Sequence, residues 1–207
     1  ACSGAPRGAG NWRSAKAWGV VVLALGVGVA RYWGFLGGVF ASTPALSWVQ
    51  VAGTQMEFPS EREVLARLDQ LVRKHPKAEL LVLSEYTFFD TVPEAVKDWC
   101  RRHGRYLIVG GKDPAAGGNF YNTAFVISPA GEIVFRQAKS VPIQFFKDGL
   151  RASEQNVWDS PWGKLGICIC YDLSYSRVTD RLVRLGAEAL IVPTMDMMEW
   201  GARQHEL

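Results

Sequence analysis

Gly166-Ile167-Cys168-Ile169-Cys170-Tyr171-Asp172 carries an apolar, β-branched run up to a cysteine and a carboxylate. Residues 164–169 read as a buried strand, and residues 176–185 as a helix that closes on Gly186. Cys170 therefore falls where a strand stops and a helix is about to begin, on a sharp turn at a sheet edge. Backbone N–H groups left free at such a junction can stabilise a thiolate and later an oxyanion. A lone cysteine there is ordinarily a small core hydrophobe, so its chemistry depends on what else reaches it. Cys168, two residues earlier, is expected to share the strand face of Cys170 and to serve packing.

Glu85 and Lys139 are the residues that would reach the thiol. Glu85 ends Leu80-Leu81-Val82-Leu83-Ser84-Glu85, and Lys139 follows Phe135-Arg136-Gln137-Ala138, each just past an apolar strand-like run. Residues beyond the carboxyl ends of strands in an open α/β sheet line its binding crevice. Glu85 is the candidate general base for the Cys170 proton, and Lys139 the candidate cation for a tetrahedral intermediate. The Tyr171 backbone N–H is a second oxyanion donor. Each charge taken singly also reads as a solvated loop residue; only the set points to acyl transfer.

In this order the residues resemble the nitrilase, or carbon–nitrogen hydrolase, superfamily, which has a Glu–Lys–Cys triad. The likeness is carried by Leu83-Ser84-Glu85, Tyr121-Asn122-Thr123-Ala124 in a hairpin turning at Ser128-Pro129-Ala130-Gly131, Lys139, and Cys170-Tyr171-Asp172. Gly186-Ala187-Glu188-Ala189-Leu190-Ile191-Val192-Pro193 and Trp200-Gly201-Ala202-Arg203-Gln204-His205 extend it, so that it covers about residues 45–207. The resemblance implies an αββα sandwich that pairs with a second copy into a homo-oligomer, and a small amide or acyl substrate. No metal or organic cofactor is implied, because nucleophile, base and oxyanion donors are all side chains or backbone. Many members place an additional glutamate near the active site. Here Val141-Pro142 leads into Ile143-Gln144-Phe145-Phe146-Lys147-Asp148 without it, leaving Asp148 and Glu154 as the nearby acids. The family continues with another helix and further strands, so the domain reads as incomplete at its C-terminus.

Of 207 residues, 48% are hydrophobic and 21% charged, enough for one sizeable core. The net charge of +3 is modest and scattered, which does not indicate nucleic acid. Cys2, Cys100, Cys168 and Cys170 lack a disulfide or zinc spacing. Residues 17–40 are strongly apolar and read as a transmembrane helix between a basic flank, 1–16, and the 45–207 domain. Roughly 20 apolar residues span a bilayer, so Arg31 must snorkel, with Tyr32 and Trp33 at the interface. A signal-peptide core and a buried helix are rival readings. Arg7, Arg13 and Lys16 place the domain at the cell membrane, outside the cytoplasm, for a bacterial source.

The rest alternates helix and strand, an α/β layered pattern. Strands are expected at 46–51, 80–83, 106–109, 120–127 and 132–136. A capping box at Ser60 and Glu63 opens one helix, and Thr91-Val92-Pro93-Glu94 opens another that Gly104 stops. The leading expectation is a membrane-tethered carbon–nitrogen hydrolase that works through a Cys170 thioester. A nitrilase-like domain behind a membrane helix also resembles apolipoprotein N-acyltransferase, so acyl transfer to an amine is the alternative. A non-catalytic membrane-anchored binding module is the third. Phe145, Phe146 and Trp158 line a lipid groove on the acyltransferase reading and pack in the core otherwise.

Overall fold

The computed structural model describes residues 48–196. The basic flank, the 17–40 segment and the 200–205 stretch singled out above lie outside them. Among the described residues, no helix is long and apolar enough to cross a membrane.

Ser60 caps α1 (Glu61–Lys74): its hydroxyl accepts from the Glu63 N–H at 3.4 Å, and Glu63 Oε2 accepts from the Ser60 N–H at 2.7 Å. Two otherwise orphaned donors are satisfied reciprocally. α1 buries Val64, Leu68 and Leu71, with Leu65 and Val72 half-buried beside them. α2 (Glu94–His103) starts after Pro93 and stops at Gly104, whose φ of 60° is the left-handed cap that favours glycine. Arg101, Arg102 and His103 occupy its last turn, where positive charge complements the helix dipole.

The first sheet runs in the order β1 (Val51–Gly53), β2 (Leu80–Val82), β3 (Tyr106–Pro114), β4 (Phe120–Ile127), β5 (Ile133–Ala138). β1, β2 and β3 are parallel, and β3, β4 and β5 are antiparallel neighbours. The second sheet holds β6 (Val157–Ser160), β7 (Gly163–Ile167) and β8 (Ala189–Ile191). β6 and β7 pair antiparallel, and α3 (Ser176–Arg184) carries the chain from β7 to its parallel neighbour β8.

Side-chain parity sorts these strands into layers. Leu81, Leu107, Val109 and Phe125 meet α1 and α2, whereas Leu80, Ile108, Ala124 and Val126 meet Trp158, Leu165, Ile167 and Ile169 of the second sheet. Val178 and Leu182 of α3 cover Cys168 on that sheet's outer face. The layers are thus helix, sheet, sheet, helix.

Four local expectations shift. β1 begins at Val51, later than residue 46. β3 runs on to Pro114, past Gly110 and Gly111, because these glycines are not a break. A Cβ at Gly110 would sit 2.7 Å from Glu85 Cα and Ser84 O, so the close approach of the Glu85 loop requires glycine there. β6 forms as a partner for β7. Cys168 and Cys170 do not share a face: Cys168 packs beneath α3, while Cys170 packs toward the inter-sheet core. The strand stops at Ile167 and the chain turns left-handed at Cys170, which breaks the two-residue parity.

Candidate active site

Three strand ends converge. Glu85 lies three residues past β2, Lys139 directly after β5 and Cys170 three residues past β7. Two of these ends turn through a left-handed residue that is not glycine: Tyr86 at φ 50° and Cys170 at φ 46°. Such conformations cost roughly 1–3 kcal/mol each and persist where the surroundings hold them in place.

At the centre is a buried charge cluster. Lys139 has no exposed surface and Glu85 is 3% exposed. The Lys139 ammonium donates to Glu85 Oε1 at 2.8 Å and pairs with Asp148 Oδ2 at 2.9 Å. Asn122 Nδ2 bridges the same two acids, 2.7 Å from Glu85 Oε1 and 2.8 Å from Asp148 Oδ1. The Tyr86 hydroxyl donates to Asp148 Oδ1 and the Ile143 N–H to Oδ2, each at 2.7 Å. Desolvation pulls the Lys139 ammonium down, but Glu85 and Asp148 together outweigh it and hold its pKa above the ordinary range. An ammonium has three donors. Two are committed to the acids, and one is left for a developing oxyanion.

The Cys170 thiol is pushed up to about 12, by burial first and by the Glu85 charge next, against the opposing pull of Lys139. Its resting form is therefore the thiol, with the Glu85 charge acting against its ionisation. Oε1 of Glu85 already accepts from Lys139 and Asn122, so Oε2 is the oxygen clear of those donors. Two ties align this turn. The Asp172 carboxylate accepts from the Ser140 N–H at 3.0 Å, from Val141 at 2.7 Å and from Ile169 at 3.1 Å. That joins the loop after Lys139 to the turn that holds Cys170. Burial pushes the Asp172 carboxyl up, opposed by those three amides. The second tie is the segment after β8: the Cys170 N–H donates to Pro193 O at 3.0 Å and the Glu85 N–H to Thr194 O at 3.2 Å. With the Cys170 N–H so engaged, the Tyr171 N–H, at the start of the short helical turn Cys170–Ser174, is the backbone donor beside the thiol.

The structure thus brings Glu85, Lys139, Cys170 and the Tyr171 amide to one place. It chooses Asp148 and not Glu154 as the additional acid: Asp148 is 1% exposed against Lys139, whereas Glu154 is exposed and faces elsewhere. Asn122 and Tyr86 join the cluster without having been assigned a role from sequence. Of the aromatic residues, Trp158 is core, while Phe145 is 96% exposed and Phe146 about half exposed. A cleft of about 340 Å³ opens beside the cysteine turn, lined by Val141, Pro142, Ile143, Phe145, Tyr171 and Tyr175 among others.

Comparison with known proteins bears on the family and the fold. The carbon–nitrogen hydrolase family matches residues 49–206. A deaminated glutathione amidase of Dictyostelium discoideum is 31% identical over 125 residues, covering 52% of this chain and 42% of the relative. A formamidase of Bacillus cereus is 30% identical over 155 residues, covering 63% of this chain and 45% of the relative. This chain therefore spans less than half the length of these curated relatives. Among solved structures, a glutamate-to-glutamine mutant of the amidase from Nesterenkonia sp. AN1 superposes with a TM-score of 0.62 at 19% identity, covering 73% of this chain and 66% of that one. It shows covalent addition of the acetamide moiety of fluoroacetamide at the active-site cysteine.

Proposed function

The chain belongs to the carbon–nitrogen hydrolase family, and from that premise we propose that it hydrolyses small carboxamides through a thioester on Cys170. The observation that carries this reading is the buried contact of Lys139 with Glu85 at 2.8 Å, beside the Cys170 thiol that both charges act on.

In the proposed cycle Glu85 takes the thiol proton as Cys170 Sγ attacks the amide carbon. The C–S bond forms, and the carbonyl electron pair moves onto oxygen. The remaining Lys139 donor and the Tyr171 N–H stabilise that oxyanion, each such donor being worth roughly 3–4 kcal/mol. As the intermediate collapses, the C–N bond breaks and Glu85 returns its proton to the departing nitrogen. Glu85 then deprotonates water, which attacks the thioester, and the acid leaves with the thiol restored. A high resting thiol pKa suits this sequence, because the proton moves only as the nucleophile reacts. The cleft beside Tyr171 is open enough for a short acyl group, and the amidase names of the relatives support the substrate class.

Ammonia release from formamide, acetamide and propionamide, together with mass spectrometry of Cys170, tests the reading. Turnover with a transient Cys170 adduct is expected. Turnover that survives Cys170→Ala would overturn it, and so would a long-chain thioester that persists until an amine is added. For location, the apolar run 17–40 supports a membrane tether. Resistance to carbonate extraction is its expected result, and a soluble product would refute it.

A further inference from the structure

A second cleft, of about 430 Å³, is lined by four arginines: Arg151, Arg177, Arg181 and Arg184. None of Glu85, Lys139 or Cys170 lines it. Arg177, Arg181 and Arg184 follow i, i+4, i+7 spacing on α3, which gathers them on one face, while Val178 and Leu182 are buried against the sheet. Arg151 joins them from the loop after Asp148, and the sole lining carboxylate is Glu154. None of the four guanidinium groups is ion-paired among the described residues. Arg177 lies over the Tyr175 ring at 5.2 Å, a contact that fixes its plane without neutralising it.

Two polar atoms of the lining residues add an independent observation. Ser140 Oγ and Gln155 Nε2 are buried without a hydrogen-bond partner, and Ser140 is 6% exposed. A buried donor left unpaired is costly, and such atoms are few in folded proteins. Both can donate, and both belong to a cleft with an excess of uncompensated positive charge. One kind of ligand answers all six groups: an anion with several oxygens and more than one charge. A carboxylate presents two oxygens, whereas a phosphoryl group presents three or more and matches guanidinium forks in two-point contacts. We propose that this cleft binds a phosphoryl-bearing small anion, as a site separate from the thiol centre and independent of the reaction assigned there.

Pyrophosphate titrated calorimetrically into the purified protein at physiological salt tests the site. Parallel sedimentation with phosphatidylglycerol and phosphatidylcholine vesicles separates a soluble phosphate from a lipid headgroup. Saturable pyrophosphate binding is expected, weakened about 10- to 100-fold in Arg181→Gln and in Arg177→Gln and unchanged in Arg67→Gln on α1. Phosphatidylglycerol binding that is lost in Arg181→Gln, without pyrophosphate binding, would also support the site and assign it to a headgroup. Circular dichroism melts establish that each variant is folded, and the two arginine variants serve as checks on each other. The proposal is overturned if neither probe binds, or if binding survives both substitutions. It is also overturned if Arg181→Gln changes only the oligomeric state.

Discussion

Cys168 and Cys170 are two residues apart on one chain segment, and burial pushes both thiols up to about 12. Their surroundings differ completely. Cys168 is enclosed by Val178 and Leu182 on the outer face of the second sheet, with Asp172 as the one charge acting on it. Cys170 turns through φ 46° to meet Glu85 and Lys139. Acidity alone would not tell them apart. On the proposed reading, what distinguishes a nucleophile from packing here is the nearby carboxylate of Glu85 and the ammonium of Lys139.

The largest effect that tests this contrast is Cys170→Ala. Amide turnover should fall by at least ~10⁴-fold, the scale seen when a nucleophile is deleted, with no acyl adduct by mass spectrometry. Retained turnover would make Cys170 another packing thiol. Glu85→Gln comes next: it preserves the shape but removes the base, and kcat should fall about 10²–10⁴-fold. A loss that merely tracked a lower melting temperature would assign Glu85 to structure alone.

Asp148→Asn should lower kcat/KM about 10- to 100-fold, the worth of a charge-assisted hydrogen bond. It also carries a sign. Asp148 holds the Lys139 pKa up, so its neutralisation should move the alkaline limb of the pH–rate profile to lower pH. An unmoved limb would leave Asp148 with no hold on the ammonium.

A subtler test uses pH without substrate. Thiolate is the alkylating species, so iodoacetamide labelling of Cys170 should climb through pH 8–11 without levelling near neutrality. A plateau near pH 7 would mean a preformed thiolate and a different mechanism. The same raised pKa has a linkage consequence. Below the unfolded thiol value near 9 both states keep the proton. Above it the unfolded chain ionises first, so stability falls as pH rises toward 12. Cys168→Ala should show the smallest effect. It should cost about 1 kcal/mol of stability in urea melts with turnover unchanged; a large loss of turnover would dissolve the contrast.

Local signals were strong where one short segment sets the outcome. The Ser60–Glu63 box, the Pro93-to-Gly104 helix and the three strand-end residues were all legible because capping and strand termination are written in adjacent residues. Asp148 was legible only as one of two nearby acids, since nothing in Phe145-Phe146-Lys147-Asp148-Gly149 marks it for burial. Its burial is decided by Tyr86, Asn122 and Lys139, distant in sequence. The one local hint is Gly149 at φ 87°, whose Cβ would sit 2.8 Å from Phe120 O, so the loop must press against β4. Strand parity misplaced Cys168 relative to Cys170 because it assumes that the strand continues. The segment after β8 went unnoticed as part of the site because its hydrogen-bonding contribution is two carbonyl oxygens, which no side-chain pattern reveals.

Those two carbonyls have a consequence in time. Glu85, Lys139 and Cys170 all precede residues 193 and 194 in the chain, yet the amides of Glu85 and Cys170 are tied down by Thr194 O and Pro193 O. A nascent chain that already holds every reactive side chain therefore lacks the strap that sets base and nucleophile in register. On the proposed mechanism, a released chain truncated before Val192 should therefore form no acyl adduct, whereas one that keeps residues 193 and 194 has the strap in place.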